Sequence, residues 1–145
     1  MEKICYFDFD VIFNCDIAEF YNLDIKKYHL IGCEDDANKS FSRQIRLKKI
    51  KSKRLSPIAE KLISHPQYIC AGVLLFNIEK IRSDNLTEKF IQEMSNNYAF
   101  GDQDVLNILC EKKINNYYGI TPLHTFFYCK YVFNFKICHC TFPKQ

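Results

Sequence analysis

The sequence predicts an α/β domain with a mixed sheet and flanking helices. Three observations carry that expectation: short apolar runs that end in acidic residues (Ile4–Phe7 and Tyr28–Cys33), one long β-branched and aromatic run (Tyr68–Phe76), and two segments of helical period, each opened by a capping signal.

Taken in order, Ile4–Phe7 ("ICYF") is fully apolar and reads as a strand buried on both faces, with Asp8 and Asp10 following at once. Alternate side chains of an extended chain share a face, so the two carboxylates are expected to point the same way while Phe9 turns into the core. Asp16 with Glu19 three residues on is a capping box, opening a short helix that ends near Tyr21. Tyr28–Cys33 ("YHLIGC") is a second strand, and Glu34, Asp35 and Asp36 come straight after it.

From Arg43 to Arg54 seven of twelve residues are basic. Ser56 and Pro57 then supply cap and first-turn proline for a helix carrying Ile58, Leu62 and Ile63 on one side. Tyr68–Phe76 ("YICAGVLLF") is the most hydrophobic segment and is assigned as a central strand, neighbour to Ile4–Phe7. Within it Gly72 marks a bulge or a place of close backbone approach. Asn85 and Glu88 form another capping box, with Leu86, Phe90, Ile91 and Met94 at helical spacing. Asp102 is the expected N-cap of a last helix with Val105, Leu106, Ile108 and Leu109 on its buried face, and Lys112 and Lys113 where the dipole favours cations. Residues 117–145 are rich in aromatics and cysteine, show no clean period and stay unassigned.

Composition narrows the function classes. With 48% hydrophobic and 15% aromatic residues, the 145-residue chain is globular in character rather than disordered. A net charge of +3 does not nominate a nucleic-acid partner, and the basic run lacks the interleaved aromatics that stack on bases, so it reads as a solvated face. Eight cysteines without a secretory apolar leader imply reduced thiols and a cytoplasmic location. No apolar stretch approaches the ~18 residues that would span a bilayer. Cys129, Cys138, His139 and Cys140 lack the ligand spacing of a tetrahedral zinc site.

The chemistry-bearing pair is Asp8 and Asp10. Two hard oxygen donors at the carboxyl end of a buried strand suit Mg²⁺ or Mn²⁺, which would in turn hold a diphosphate; the plainer alternative is a pair of solvated turn residues.

Three segments, "ICYFDFDVIFNCDIAEFYNLDI", "YICAGVLLFNIEKIRSDNLTEKFIQEM" and "FGDQDVLNIL", taken together resemble the core of glycosyltransferase family 8 in order and approximate spacing, over residues 3–114. These are the retaining nucleotide-sugar transferases that include glycogenin and the bacterial lipopolysaccharide galactosyl- and glucosyltransferases. The resemblance implies a GT-A-like nucleotide-diphospho-sugar transferase core, truncated at its N-terminus because the family's nucleotide-binding βαβ region precedes the Asp-x-Asp strand. Residues 1–116 would then be a partial family 8 domain. It further implies that Asp8 and Asp10 hold Mn²⁺ (or Mg²⁺) against the diphosphate of a UDP-sugar, and that Ala71 and Gly72 let the backbone approach the donor sugar. Asp102 and Gln103 would contact that sugar and position it for attack. Asp16 and Glu19 match as a structural cap.

The implied function is Mn²⁺-dependent transfer of a hexose from a UDP-sugar donor, with retention, to a glycan, lipid-linked or protein acceptor. The alternative is a non-catalytic remnant that acts by binding. Three departures bear on the choice: Cys70 stands where the family has Asn, the late His-x-x-Gly-x-x-Lys-Pro-Trp segment has no counterpart in a chain without tryptophan, and the family's upstream βαβ region is expected to be missing, the Asp-x-Asp strand beginning at residue 4.

Overall fold

The computed structural model describes residues 1–35, 68–96, 98, 101–116, 120–123 and 137–140. Strand β4 (Ile69–Asn77) lies inside a four-stranded mixed sheet. On one side it pairs antiparallel with β1 (Lys3–Phe7), in the register Ile4↔Phe76 and Phe7↔Val73. On the other it pairs antiparallel with β3 (Leu30–Glu34), which itself runs parallel to β5 (Ile114–Asn116). A second sheet of three strands places β2 (Val11–Phe13) antiparallel to β7 (Ile137–Cys140), with β6 (Ile120–Leu123) parallel on the far side of β7. Part of the unassigned tail therefore returns to the segment that follows Asp10.

β4 feeds two cores. Cys70, Val73 and Leu75 join Phe20, Ile25, Ile31 and Cys33 on one face, while Ile69 and Leu74 join Leu30, Ile81, Leu86, Cys110 and Ile114 on the other. Each fully buried Val or Leu side chain in such a cluster is worth about 1.5–3 kcal/mol. Ile69 and Leu74 share a face although five residues separate them, an odd spacing that a regular strand forbids. The ladder explains it: from Gly32↔Leu74 to Glu34↔Ile69, β3 advances two residues while β4 advances five. The irregularity includes Ala71 and Gly72, as the glycine led us to expect.

Strand β1 departs from expectation. It is an edge strand with alternating exposure, Ile4 being 49% and Tyr6 44% exposed. Cys5 and Phe7 pack on the first cluster, and the face of β1 that carries Ile4 and Tyr6 is left half open.

The first helix, α1 (Ile17–Tyr21), is capped as expected: Asp16 Oδ1 accepts from Ala18 N at 2.9 Å, and Phe20 is buried. After β4, Asn77 caps α2 (Ile78–Ser83), its Oδ1 accepting from Lys80 N. The capping box expected at Asn85 does not form. Asn85 adopts a left-handed conformation (φ 53°) and makes no side-chain cap bond, serving as the sharp corner between α2 and α3 (Leu86–Glu93). Of the α3 residues at helical spacing, Leu86 is buried and Phe90 packs against the core, whereas Ile91 and Met94 face outward because α3 touches the body along one narrow side. The N-cap of α4 (Asp102–Cys110) is Gly101 at φ 56°, and Asp102 is its first helical residue. Its buried face is Asp104, Val105, Asn107 and Cys110, so two polar residues take places expected of Ile108 and Leu109. A 3-10 turn, Glu111–Lys113, leads into β5.

At the sheet end where β3 begins, His29 Nε2 lies 2.7 Å from Asp84 Oδ2, which also pairs with Lys113 at 2.7 Å and Lys80 at 3.2 Å. Burial lowers the His29 pKa, and Lys113, His29 and Lys80 together lower that of Asp84. The basic run and the helix expected after Ser56 lie outside the described residues. Among the described residues no helix is long and apolar enough to cross a membrane.

Candidate functional site

The site is built where β1 stops. Pairing with β4 continues one step beyond Phe7, through a bond from Asp8 N to Gly72 O at 2.9 Å, and then the chain turns at Phe9 and Asp10. This turn corrects the picture of an extended Asp-x-Asp with its aromatic inward. Phe9 is fully exposed, because a reversal directly after an edge strand carries the middle residue over open solvent. Asp8 and Asp10 are each half-buried on either side of it. The hydroxyl of Tyr6 donates to Asp8 Oδ1 at 2.7 Å.

Helix α4 is clamped to the irregular stretch of β4 by its own side chains. Gln103 Oε1 accepts from Ala71 N at 3.0 Å, and Gln103 Nε2 donates to Asp35 Oδ2 at 2.8 Å. One turn on, Asn107 Oδ1 accepts from Ile69 N at 2.8 Å and Asn107 Nδ2 donates to Ile69 O at 2.9 Å. These amides supply partners where the strand irregularity interrupts the β3 ladder. Beneath them the Tyr68 hydroxyl donates to Asp104 Oδ1 at 2.7 Å. Burial and the neighbouring carboxylate push the Tyr68 phenol far up.

Ala71, Gly72, Gln103 and Asp8 are thus linked through consecutive hydrogen bonds, with Asp102 next to Gln103 at the exposed start of α4. The Tyr6 phenol is raised, first by its bond to Asp8 and least by the charge of Asp102. Asp10 lies two residues beyond Asp8 in the turn. As oxygen donors Asp8 and Asp10 suit a hard cation. Among the described residues no group of three or more His, Cys, Asp or Glu side chains is arranged to hold a metal.

Sequence reasoning missed Tyr6, Asp35, Tyr68, Asp104 and Asn107. Asp35 had one signal, an acid directly after a strand; the others sit in patterns that also describe ordinary core or helix-surface positions. Cys70, the departure from Asn, contributes a thiol that accepts weakly from Gly72 N at 3.5 Å. It also touches Cys33, whose pKa is strongly raised by that contact and by burial.

A sequence profile described as "Glycosyl transferase family 8" matches residues 1–130. A candidate glycosyltransferase of Haemophilus influenzae is 31% identical over 132 residues, a stretch covering 84% of this chain and 35% of that protein, so the chain spans about a third of the relative's length. Among solved structures, the bifunctional glycosyltransferase WbbM superposes with a TM-score of 0.76 at 15% identity, covering 100% of this chain and 30% of its own. The galactosyltransferase LgtC, solved with donor and acceptor sugar analogues, superposes at 0.65 and 18% identity, covering 99% and 54%. GlyE of Streptococcus pneumoniae superposes at 0.58 and 20% identity, covering 96% and 33%. At such identities the likeness establishes the fold, a GT-A-like α/β core.

Proposed function

Because the chain belongs to glycosyl transferase family 8, we propose that it carries the cation and donor-sugar portion of an enzyme moving a hexose from a UDP-sugar, with retention, to a glycan, lipid-linked or protein acceptor. The observation that carries this reading is the union of Asp8, Ala71, Gly72 and Gln103 on one rim by hydrogen bonds, with Asp102 at the same helix start. UDP, retention and Mn²⁺ come from the family resemblance; the sugar analogues bound by the LgtC neighbour support a donor and an acceptor.

The donor set is compatible with Mn²⁺ or Mg²⁺, two carboxylates one residue apart in sequence being hard ligands that leave positions for water and diphosphate. Bound there, such a cation would neutralise the diphosphate as it departs. The protein's own share is positional. Gly72, without a side chain, allows the donor sugar close to the strand backbone. Asp102 offers an exposed carboxylate to sugar hydroxyls. The Gln103 amide is fixed end for end: a carboxylate only accepts and a backbone N–H only donates, so its nitrogen must face Asp35 and its oxygen Ala71. A group held so firmly can order the sugar for attack without rearranging.

A second reading, binding without turnover, is favoured by one observation: among the described residues nothing joins Asp8 and Asp10 as a third ligand. UDP release from UDP-hexoses, with and without Mn²⁺, separates the two. It is measured for these 145 residues and for a chimera in which they replace the matching stretch of the Haemophilus influenzae relative. Little release is expected from the chain alone, and Mn²⁺-dependent release, abolished by Asp10→Ala, from the chimera. Undiminished release in Asp10→Ala removes the cation reading.

A further inference from the structure

Tyr6 stands two residues before Asp8 on an edge strand, half exposed, with its hydroxyl 2.7 Å from Asp8 Oδ1. The core makes little demand for that hydroxyl: the register opposite Leu74 needs only an apolar ring, which Phe would supply. What the oxygen adds is a bond to a carboxylate that has just left the strand. Beyond the backbone bond from Asp8 N to Gly72 O, the chain turns away. A carboxylate rotates easily about its terminal torsion, whose wells are broad, so a donor at one oxygen decides how the group is presented.

We propose that Tyr6 is a positioning residue for a divalent cation held by Asp8 and Asp10, orienting the Asp8 carboxylate through its hydroxyl. This rests on the cation reading above. Hydrogen-bonded partners of metal-ligating side chains hold them in their ligating orientation, and losing one typically weakens metal binding about 10–100-fold. The bond also discriminates between ions. A large cation that takes both oxygens of a carboxylate, as Ca²⁺ often does, must share Oδ1 with the Tyr6 hydroxyl through that oxygen's second lone pair, which narrows the angles open to it, whereas a small octahedral ion that takes Oδ2 alone does not.

The test uses Mn²⁺ alone, its free concentration read by electron paramagnetic resonance, with Ca²⁺ as competitor. Wild type, Tyr6→Phe and Asp10→Asn are compared, each checked by thermal melting. The expected result is an affinity for Mn²⁺ about tenfold weaker in Tyr6→Phe, an unchanged melting temperature, and a Mn²⁺-over-Ca²⁺ preference that shrinks. A packing role alone would leave that preference unmoved. Mn²⁺ affinity unchanged in Tyr6→Phe but weakened in Asp10→Asn overturns the role of Tyr6 and leaves the cation reading standing. A wild-type chain that binds no Mn²⁺ overturns both.

Discussion

Asn107 and Ile69 are bonded to each other twice, side-chain amide to backbone, as one strand residue bonds another. The oxygen accepts from Ile69 N at 2.8 Å and the nitrogen donates to Ile69 O at 2.9 Å, both in buried surroundings. Asn107→Leu keeps the volume and removes both partners, stranding two buried backbone groups. At about 1–3 kcal/mol for each such group, the variant should lose roughly 2–6 kcal/mol of stability, read as a lower urea midpoint. A loss under about 0.5 kcal/mol, the size of a neutral surface change, would contradict the bonding described.

Leu75 is fully buried at the centre of β4, in the cluster with Phe20 and Ile31. Leu75→Ala should cost about 2–5 kcal/mol through lost burial and a residual cavity. An equilibrium denaturation curve with unchanged slope and lower midpoint is the expected form.

The cluster of His29, Asp84, Lys80 and Lys113 predicts acid sensitivity in two steps. Burial holds the His29 pKa below its ordinary value of about 6.5. Between that value and its lowered folded value the unfolded chain binds the proton more readily, so stability falls as pH drops through this window, by at most about 1.4 kcal/mol per pH unit. His29→Gln should flatten that step. Asp84, held low by its bonds to Lys113, His29 and Lys80, adds stability above the ordinary carboxylate range that disappears in stronger acid; Asp84→Asn should flatten this second step and, by removing the bond that raises His29, extend the first to lower pH. Urea midpoints between pH 7 and 2 test both, and a His29→Gln curve parallel to wild type would refute the first.

Asp102 is exposed in the first turn of α4, where it contributes about 0.3–1 kcal/mol through the helix dipole. Asp102→Asn should therefore melt near wild type. In the chimera it should slow UDP release on the order of 10²-fold if it orders the donor sugar. A rate within twofold of wild type would take Asp102 out of the site.

What could be read in advance follows from how local each cause is. β4 was legible because burial on both faces writes itself as an unbroken apolar run, and Asp16 because its bond reaches only two residues along the chain. The exposure of Ile4 and Tyr6 was not, since an apolar run cannot say whether one partner strand or two will flank it. Asp104 and Asn107 were hidden by the reverse problem. They look like the wet side of a helix, and their partners, Tyr68 and Ile69, lie more than thirty residues away. The meeting of Asp8 with the backbone of Gly72 was legible only in combination, because the segments that carry them constrain one another. Phe9 was misplaced because the alternation rule was carried one step past the end of its strand.

The odd spacing between Ile69 and Leu74 works like a dislocation in a crystal row. On each side of Gly72 the strand is regular, but the two halves are out of phase by one residue, and each half is in phase with its own surroundings. A deletion of Gly72 would heal the defect and keep the faces, since Ile69, Ala71, Leu74 and Phe76 would then alternate regularly on the helix-covered side; what it would break is the clamp, because Ile69 and Ala71 would shift by one residue against Asn107 and Gln103, and Asp8 N would lose its acceptor. Asp8 hydrogen-bonds to the backbone at the point where the phase slips, so the fault line and the candidate site are the same place. Change there is constrained twice, once by folding and once by whatever the rim holds.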